Sequence, residues 1–228
     1  MAISLILFEP DLGSSAVIFV VALSIMFIAG APMKHLLLIF SLGMSVFVVM
    51  ILAVPWRMKR ILSFMNPWET YQEEGWQLSH SLIAFGRGDW FGVGLGESLQ
   101  KLHYLPDAQT DFIFAIIAEE MGLLFCILLV MLFSFLIFKC FYIGRLARHA
   151  QYYLGSYIAY GAGICIALHV FINIGVSSGM LPTKGITLPF ISFGGTNLLL
   201  MFALVALVLR INFEISESFS NKNKILNV

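Results

Sequence analysis

The sequence predicts an all-α fold, a polytopic membrane helix bundle, and three observations predict it. Apolar residues fill 60% of the 228 positions and charged residues only 11%, against roughly 45–50% and about 25% in ordinary soluble domains. Five stretches, 12–33, 35–56, 121–138, 149–183 and 185–209, contain no Asp, Glu, Lys or Arg. Each is about as long as a helix rising ~1.5 Å per residue must be to cross ~30 Å of hydrocarbon. Thirteen basic residues balance thirteen acidic ones, and without a basic stripe there is no footprint for nucleic acid.

Residues 1–8 are an apolar stub that stops at Glu9-Pro10-Asp11. The stub is too short to span and lacks the basic start and small-residue cleavage site of a signal peptide. It reads as the last turns of a helix that begins before Met1, so the chain is expected to be an N-terminally truncated, C-terminal part of a larger protein. The first span, about 12–32, closes at Gly30-Ala31-Pro32, because Pro cannot continue a helix and Gly tolerates the terminal turn. The second, about 36–55, closes at Pro55. The third, about 112–138, leads into a loop marked by Lys139, Arg145 and Arg148, whose long side chains can snorkel to headgroups. The fourth and fifth run over about 151–174 and 186–210, with Arg210 at the end and 211–228 as a cytoplasmic tail. Residues 1–228 thus form a single membrane domain. Basic residues divide seven against six between the two faces, and the excess assigns the C-terminus to the cytoplasmic side.

Between the second and third spans, residues 56–111 make a large external loop. The loop holds twelve of the 26 charged residues in about a quarter of the length. Turn signals recur at Asn66-Pro67, Gly75, Pro106 and the five glycines from Gly86 to Gly96. Trp76, Leu78, Leu82, Ile83 and Phe85 fall at helical spacing with Gln77, Ser79 and Ser81 between, the pattern of an interfacial helix. A connection this long in a compact domain generally carries function. Cys126, Cys140 and Cys165, with no CxxC spacing, read as packing residues. His169, the only histidine deep in a span, reads as a hydrogen-bonded packing residue.

Asp111 stands where the polar loop meets the third span. One reading makes it a helix N-cap, a role that stabilises its charged form. The other makes it a general base at a cavity rim, where desolvation raises a carboxylate toward neutrality. Glu119 and Glu120 follow about 12 Å along the helix, pointing about 100° apart. Two acids there need protein, water or a basic partner, so they read as structural or auxiliary. In 175–195, Pro182, Pro189 and five glycines suggest a broken or re-entrant helix. Lys184, the only charge between His149 and Leu209, is either a snorkelling loop lysine or a cation aimed at an anionic substrate such as a pyrophosphate. The run from Gly86 to Gly96 lacks the Gly-Lys-Ser/Thr ending of a phosphate loop and reads as loop backbone packed tightly on the membrane surface.

Several motifs occur together and in order: Glu9-Pro10-Asp11-Leu12-Gly13, Gly75-Trp76-Gln77-Leu78, Ser81–Gly88, Trp90–Gly96, Gln100-Lys101-Leu102, Tyr104-Leu105-Pro106 and Thr110-Asp111-Phe112-Ile113, then Gly179–Gly185 and Ser192–Gly195. They closely resemble the SEDS (shape, elongation, division, sporulation) family, in its cell-division branch. The resemblance implies a multi-pass protein of the bacterial inner membrane that acts at the septum, with loop 56–111 outside. The activity it implies is glycosyl transfer, polymerising lipid II into peptidoglycan strands, with Asp111 matching the catalytic aspartate. Arg87, Lys101 and Lys184 become candidates to neutralise the departing pyrophosphate, with Gln77 and Ser192 as further substrate-binding candidates. A divalent cation such as Mg is the only cofactor considered, and no metal ligands are assigned. The implied partners are membrane lipids, a class B penicillin-binding transpeptidase and other division proteins. Gln109 stands where the family has a histidine, and only about half of the family's spans are present. A lipid II flippase or transporter, and an inactive truncated scaffold of the division complex, are the competing functions.

Overall fold

The computed structural model describes residues 12–73 and 75–226; the stub at 1–8 and its Glu9-Pro10-Asp11 stop lie outside them. The described elements are α1 (Leu12–Ile28), α2 (Met33–Leu52), α3 (Pro55–Met65), α4 (Trp76–Gly88), a π-helical turn (Gln100–Tyr104), α5 (Ile113–His149), α6 (Tyr153–Ser177) and α7 (Gly195–Leu226). No strand occurs among the described residues. Four helices, α2, α5, α6 and residues 195–217 of α7, are long and apolar enough to cross a membrane, and α1 is a shorter apolar helix. The polytopic α-helical class therefore holds, with four full-length spans and a shorter fifth.

Helix α6 is the hub, packing on α1, α4, α5 and α7. Its face of Gly155, Ser156, Ala159, Ala162 and Gly163 is buried, and small residues let helix backbones approach where lipid offers no hydrophobic drive. A Cβ added at Gly163 would stand 3.0 Å from the Cys140 Cβ. Ser156 Oγ donates to the Gly144 carbonyl at 2.8 Å. By contrast, α2 buries only Leu36 and turns apolar side chains outward on most sides, a surface suited to lipid.

Several boundaries differ from expectation, each for a local reason. Pro55 does not close the second span: α2 stops at Leu52, and Pro55 opens α3 in its first turn, where a missing N–H has no partner to lose. Helix α5 runs to His149, so Lys139, Arg145 and Arg148 lie on its last turns rather than in a loop. Arg148 Nη1 reaches the Ile28 carbonyl at the end of α1, 3.3 Å away, where the helix dipole favours a cation. Residues 211–226 continue α7 instead of leaving it as a tail: Ile211 and Ile215 are buried, and Arg210 pairs with Glu214 at 2.8 Å. Residues 178–194 form no re-entrant helix; they are an extended strap with turns at its ends.

The external segment also packs more deeply than an interfacial helix would. Ser79 and Ser81, expected on the wet face of α4, are fully buried. Their hydroxyls donate to the Pro67 carbonyl at 3.1 Å and the Ser177 carbonyl at 2.6 Å. Nor does the glycine run lie on the membrane surface. It fills a break in α5 at Gly122, whose φ of 75° and ψ of −178° suit only glycine. Val93 N and Gly94 N donate to the carbonyls of Glu119 and Glu120 at 2.9 and 3.0 Å. Leu123 N and Leu124 N donate to those of Asp89 and Trp90 at 2.9 and 3.3 Å. Backbone groups freed by the break thus find partners. A Cβ on Gly88 would strike the Ala118 carbonyl, and one on Gly92 the Glu120 carbonyl.

Candidate functional site

Asp111 is held by a tight turn hung on one acceptor. The backbone N–H groups of Thr110, Asp111 and Phe112 all donate to the Asp107 carbonyl, at 3.1, 3.1 and 3.3 Å. Helix α5 begins at Ile113, with Phe112 at the N-cap and no side-chain capping bond. The capping reading of Asp111 therefore fails. Among the described residues its carboxylate accepts no hydrogen bond, so nothing of that kind stabilises the charge. Half-buried, it is pushed up to about 6, by desolvation first and then by the negative Asp107, with Arg60 on α3 pulling the other way. A carboxylate near neutrality combines ready ionisation with useful basicity.

The extended strap closes over this turn. The Asp111 carboxylate faces Gly185, where an added Cβ would lie 3.0 Å from Oδ2. Half-buried Lys184 is the next residue, so the strap brings its sequence neighbour, a cation, to the same end of α5. Three bonds sew strap to turn. Ser192 Oγ donates to the Thr110 carbonyl at 2.6 Å while accepting from Leu188 N at 2.7 Å. Phe193 N donates to the Gln109 carbonyl at 2.9 Å. Asn173 Nδ2, from α6, donates to the Asp111 carbonyl at 2.9 Å and to the Ile186 carbonyl at 2.7 Å. Ser192 thus appears as a buried staple, and Gln109 takes part through its backbone.

The other predicted site residues gather further along α5. Glu119 is wholly buried and accepts from Arg87 Nη1 and Ser98 Oγ, each at 2.5 Å, and from Leu99 N and Gln100 N at 3.3 and 3.4 Å. Glu120 pairs with Lys101 at 2.6 Å. The two acids take separate partners, as their divergence around the helix requires. Arg87 and Lys101 are each joined to an acid on α5, whereas Lys184 lies beside Asp111. Gln77 is half-buried on α4, next to Trp76, whose Nε1 donates to the Tyr104 carbonyl at 2.7 Å.

Sequence reasoning missed Arg60, Asn173 and His80. An amide in an apolar run needs a protein partner, and that alone marked Asn173. Buried His80 contacts Gln100 Oε1 through Nδ1 at 2.7 Å and the Tyr71 hydroxyl through Nε2 at 3.1 Å. With Oε1 as acceptor, Nδ1 carries the proton and Nε2 accepts from Tyr71. This ties the loop's aromatic residues to Gln100 and hence to Glu119. No group of three or more His, Cys, Asp or Glu among the described residues could hold a metal ion. Asp107 and Asp111 alone do not make a ligand set for a divalent cation, so no step is routed through one. An open apolar groove of about 490 Å³ runs beside the α5 break, lined by Trp90, Phe91, Leu95, Glu120 and Leu124 among others.

Residues 1–217 match the family model described as cell cycle protein, of the FtsW, RodA and SpoVE type. Curated relatives include three proteins each named probable peptidoglycan glycosyltransferase FtsW. That of Saccharophagus degradans is 49% identical over 213 residues, 93% of this chain and 55% of that protein. Those of Hydrogenovibrio crunogenus and Aliivibrio salmonicida are 48% and 45% identical, over 94% and 95% of this chain and 55% and 54% of theirs. The chain spans about half the length of these relatives. A solved structure, titled as the structural coordination of polymerization and crosslinking by a peptidoglycan synthase complex, superposes with a TM-score of 0.70 at 24% identity. The match covers 94% of this chain and 59% of that one, and shows a shared fold.

Proposed function

The chain belongs to the FtsW, RodA and SpoVE family of cell cycle proteins, and on that premise we propose that it serves a peptidoglycan glycosyltransferase acting on lipid II. Outside the cytoplasm no nucleotide sugar is at hand, so the donor must carry its own leaving group, a lipid-linked pyrophosphate. In this reading Asp111 takes the proton of the acceptor GlcNAc 4-hydroxyl as that oxygen attacks C1 of MurNAc. The C1–O bond to pyrophosphate breaks, C1 inverts, and the lipid diphosphate leaves with the electron pair. Lys184 neutralises the charge that grows on it. Arg87 and Lys101, occupied by Glu119 and Glu120, act by holding the external segment in shape.

One observation carries this reading: an uncapped, half-buried carboxylate, raised to about 6, is clasped against the strap that bears the chain's most isolated lysine. Names of the relatives support the reaction class, and the synthase complex among solved structures supports a transpeptidase partner at the septal membrane. The test is reconstitution of the purified protein with lipid II in vesicles. Glycan strands are expected, with Asp111→Asn lowering the rate roughly 10²–10⁴-fold while the protein stays folded. Lipid movement across the bilayer without strands would instead establish a flippase. Strand formation at full rate by Asp111→Asn removes the general base.

A further inference from the structure

We propose that Asn173 is a positioning residue that fixes the reactive carboxylate by clamping its own backbone and the strap with a single amide. Asn173 lies in the last two turns of α6 and is 1% exposed. Its Nδ2 has two hydrogens, and both are spent on carbonyls from distant parts of the chain. One belongs to Asp111, 62 residues away, and the other to Ile186. These flank the closest approach at the site, where Gly185 meets the Asp111 carboxylate. The helix that serves as the hub of the bundle therefore sets the distance between base and strap. Its Oδ1 is buried and accepts nothing among the described residues. General polar satisfaction does not explain this amide, because an apolar residue of similar size would leave no unpaired acceptor. The geometry explains only the two donors.

The inference rests on the role proposed for Asp111, and its consequences are specific to that role. If the clamp is lost, the Asp111 turn and the strap can part, water enters, and the carboxylate is both misplaced and better solvated. The charged groups acting on Asp111 are Asp107 on its own turn and Arg60 on α3, with Lys184 next along the strap. Helix α6 carries no Asp, Glu, Lys or Arg, and its one histidine, His169, bonds the Cys165 carbonyl at 2.9 Å. A change in the acid limb on altering Asn173 thus reports solvation and position, not a lost charge.

The experiment compares Asn173→Leu, Asn173→Ala and Asp111→Asn with the unaltered protein, as polymerisation of lipid II in vesicles across pH 4–8. Folded fraction is followed separately by thermal unfolding in detergent. For both Asn173 variants, kcat per folded molecule is expected to fall roughly 10–100-fold, as misplacement by about an ångström does, with KM within about threefold. The midpoint of the acid limb should move below that of the unaltered protein. Unchanged kcat per folded molecule with an unchanged midpoint overturns the proposal, as does a loss that merely tracks the folded fraction. Full activity of Asp111→Asn overturns the reading beneath it, whereas a dead Asp111→Asn beside a fully active Asn173→Leu overturns the clamp alone.

Discussion

Asp111 and Glu119 stand about two helical turns apart at the start of α5, and their surroundings are opposite. Glu119 has no exposed surface and four donors, among them the Arg87 guanidinium. Asp111 is half-exposed and has none, with a second acid nearby and Gly185 against its face. A carboxylate surrounded by donors is held in its charged form and is a poor base. One that is desolvated and unbonded is destabilised in that form and is ready to take a proton. The same residue class thus performs two tasks on one helix, and the neighbours decide which.

The largest effect that would break this contrast is in catalysis. Loss of the Asp111 charge is expected to cost 10²–10⁴ in rate with little change in unfolding temperature, measured on the same preparation. Glu119→Ala should invert the pattern. It strips Arg87 of its partner and frees the 98–100 segment, a loss of about 2–4 kcal/mol in stability, the lower part because Arg87 is a third exposed. Activity per folded molecule should fall far less than for Asp111→Asn. Equal catalytic losses at both positions would erase the distinction.

A pH series sharpens it. The rate should rise with pH through about 6, where Asp111 ionises, and the limb should vanish from the residual rate of Asp111→Asn. Stability runs the other way. Because the folded form binds the Asp111 proton more tightly than the unfolded chain, this group's favourable contribution is complete below about 4. It is lost as pH rises from about 4 to about 6, so unfolding midpoints should decline across that window relative to Asp111→Asn. Gly122→Ala comes next, at about 1–3 kcal/mol for a backbone conformation that side chains rarely adopt, read by thermal unfolding. The smallest effect belongs to Lys101→Ala. Its pair with Glu120 is partly exposed, and such pairs contribute about 0–1 kcal/mol.

The helical membrane class was legible because hydrocarbon demands long uncharged runs, and the chain supplies them. Asp111 was legible as a residue but not as an environment. A carboxylate two positions before a helix resembles a cap, and only the turn on the Asp107 carbonyl shows that Phe112 takes that place. Arg87 and Lys101 looked available for an anion because their partners, 32 and 19 residues distant, leave no local trace. Glycines 86 to 96 signalled close backbone approach, but not that the surface approached is a broken helix. The break itself is a single glycine inside an apolar run, which hydrophobic periodicity passes over.

The stitching of Ser192 to Thr110 joins positions 82 apart in the chain, with consequences for biosynthesis. A ribosome delivers the base long before it delivers the clasp, so a nascent chain halted ahead of the strap already has Asp111 but not its setting. The reactive geometry can arise only once the C-terminal helices have entered the bilayer, which ties the onset of chemistry to the end of insertion.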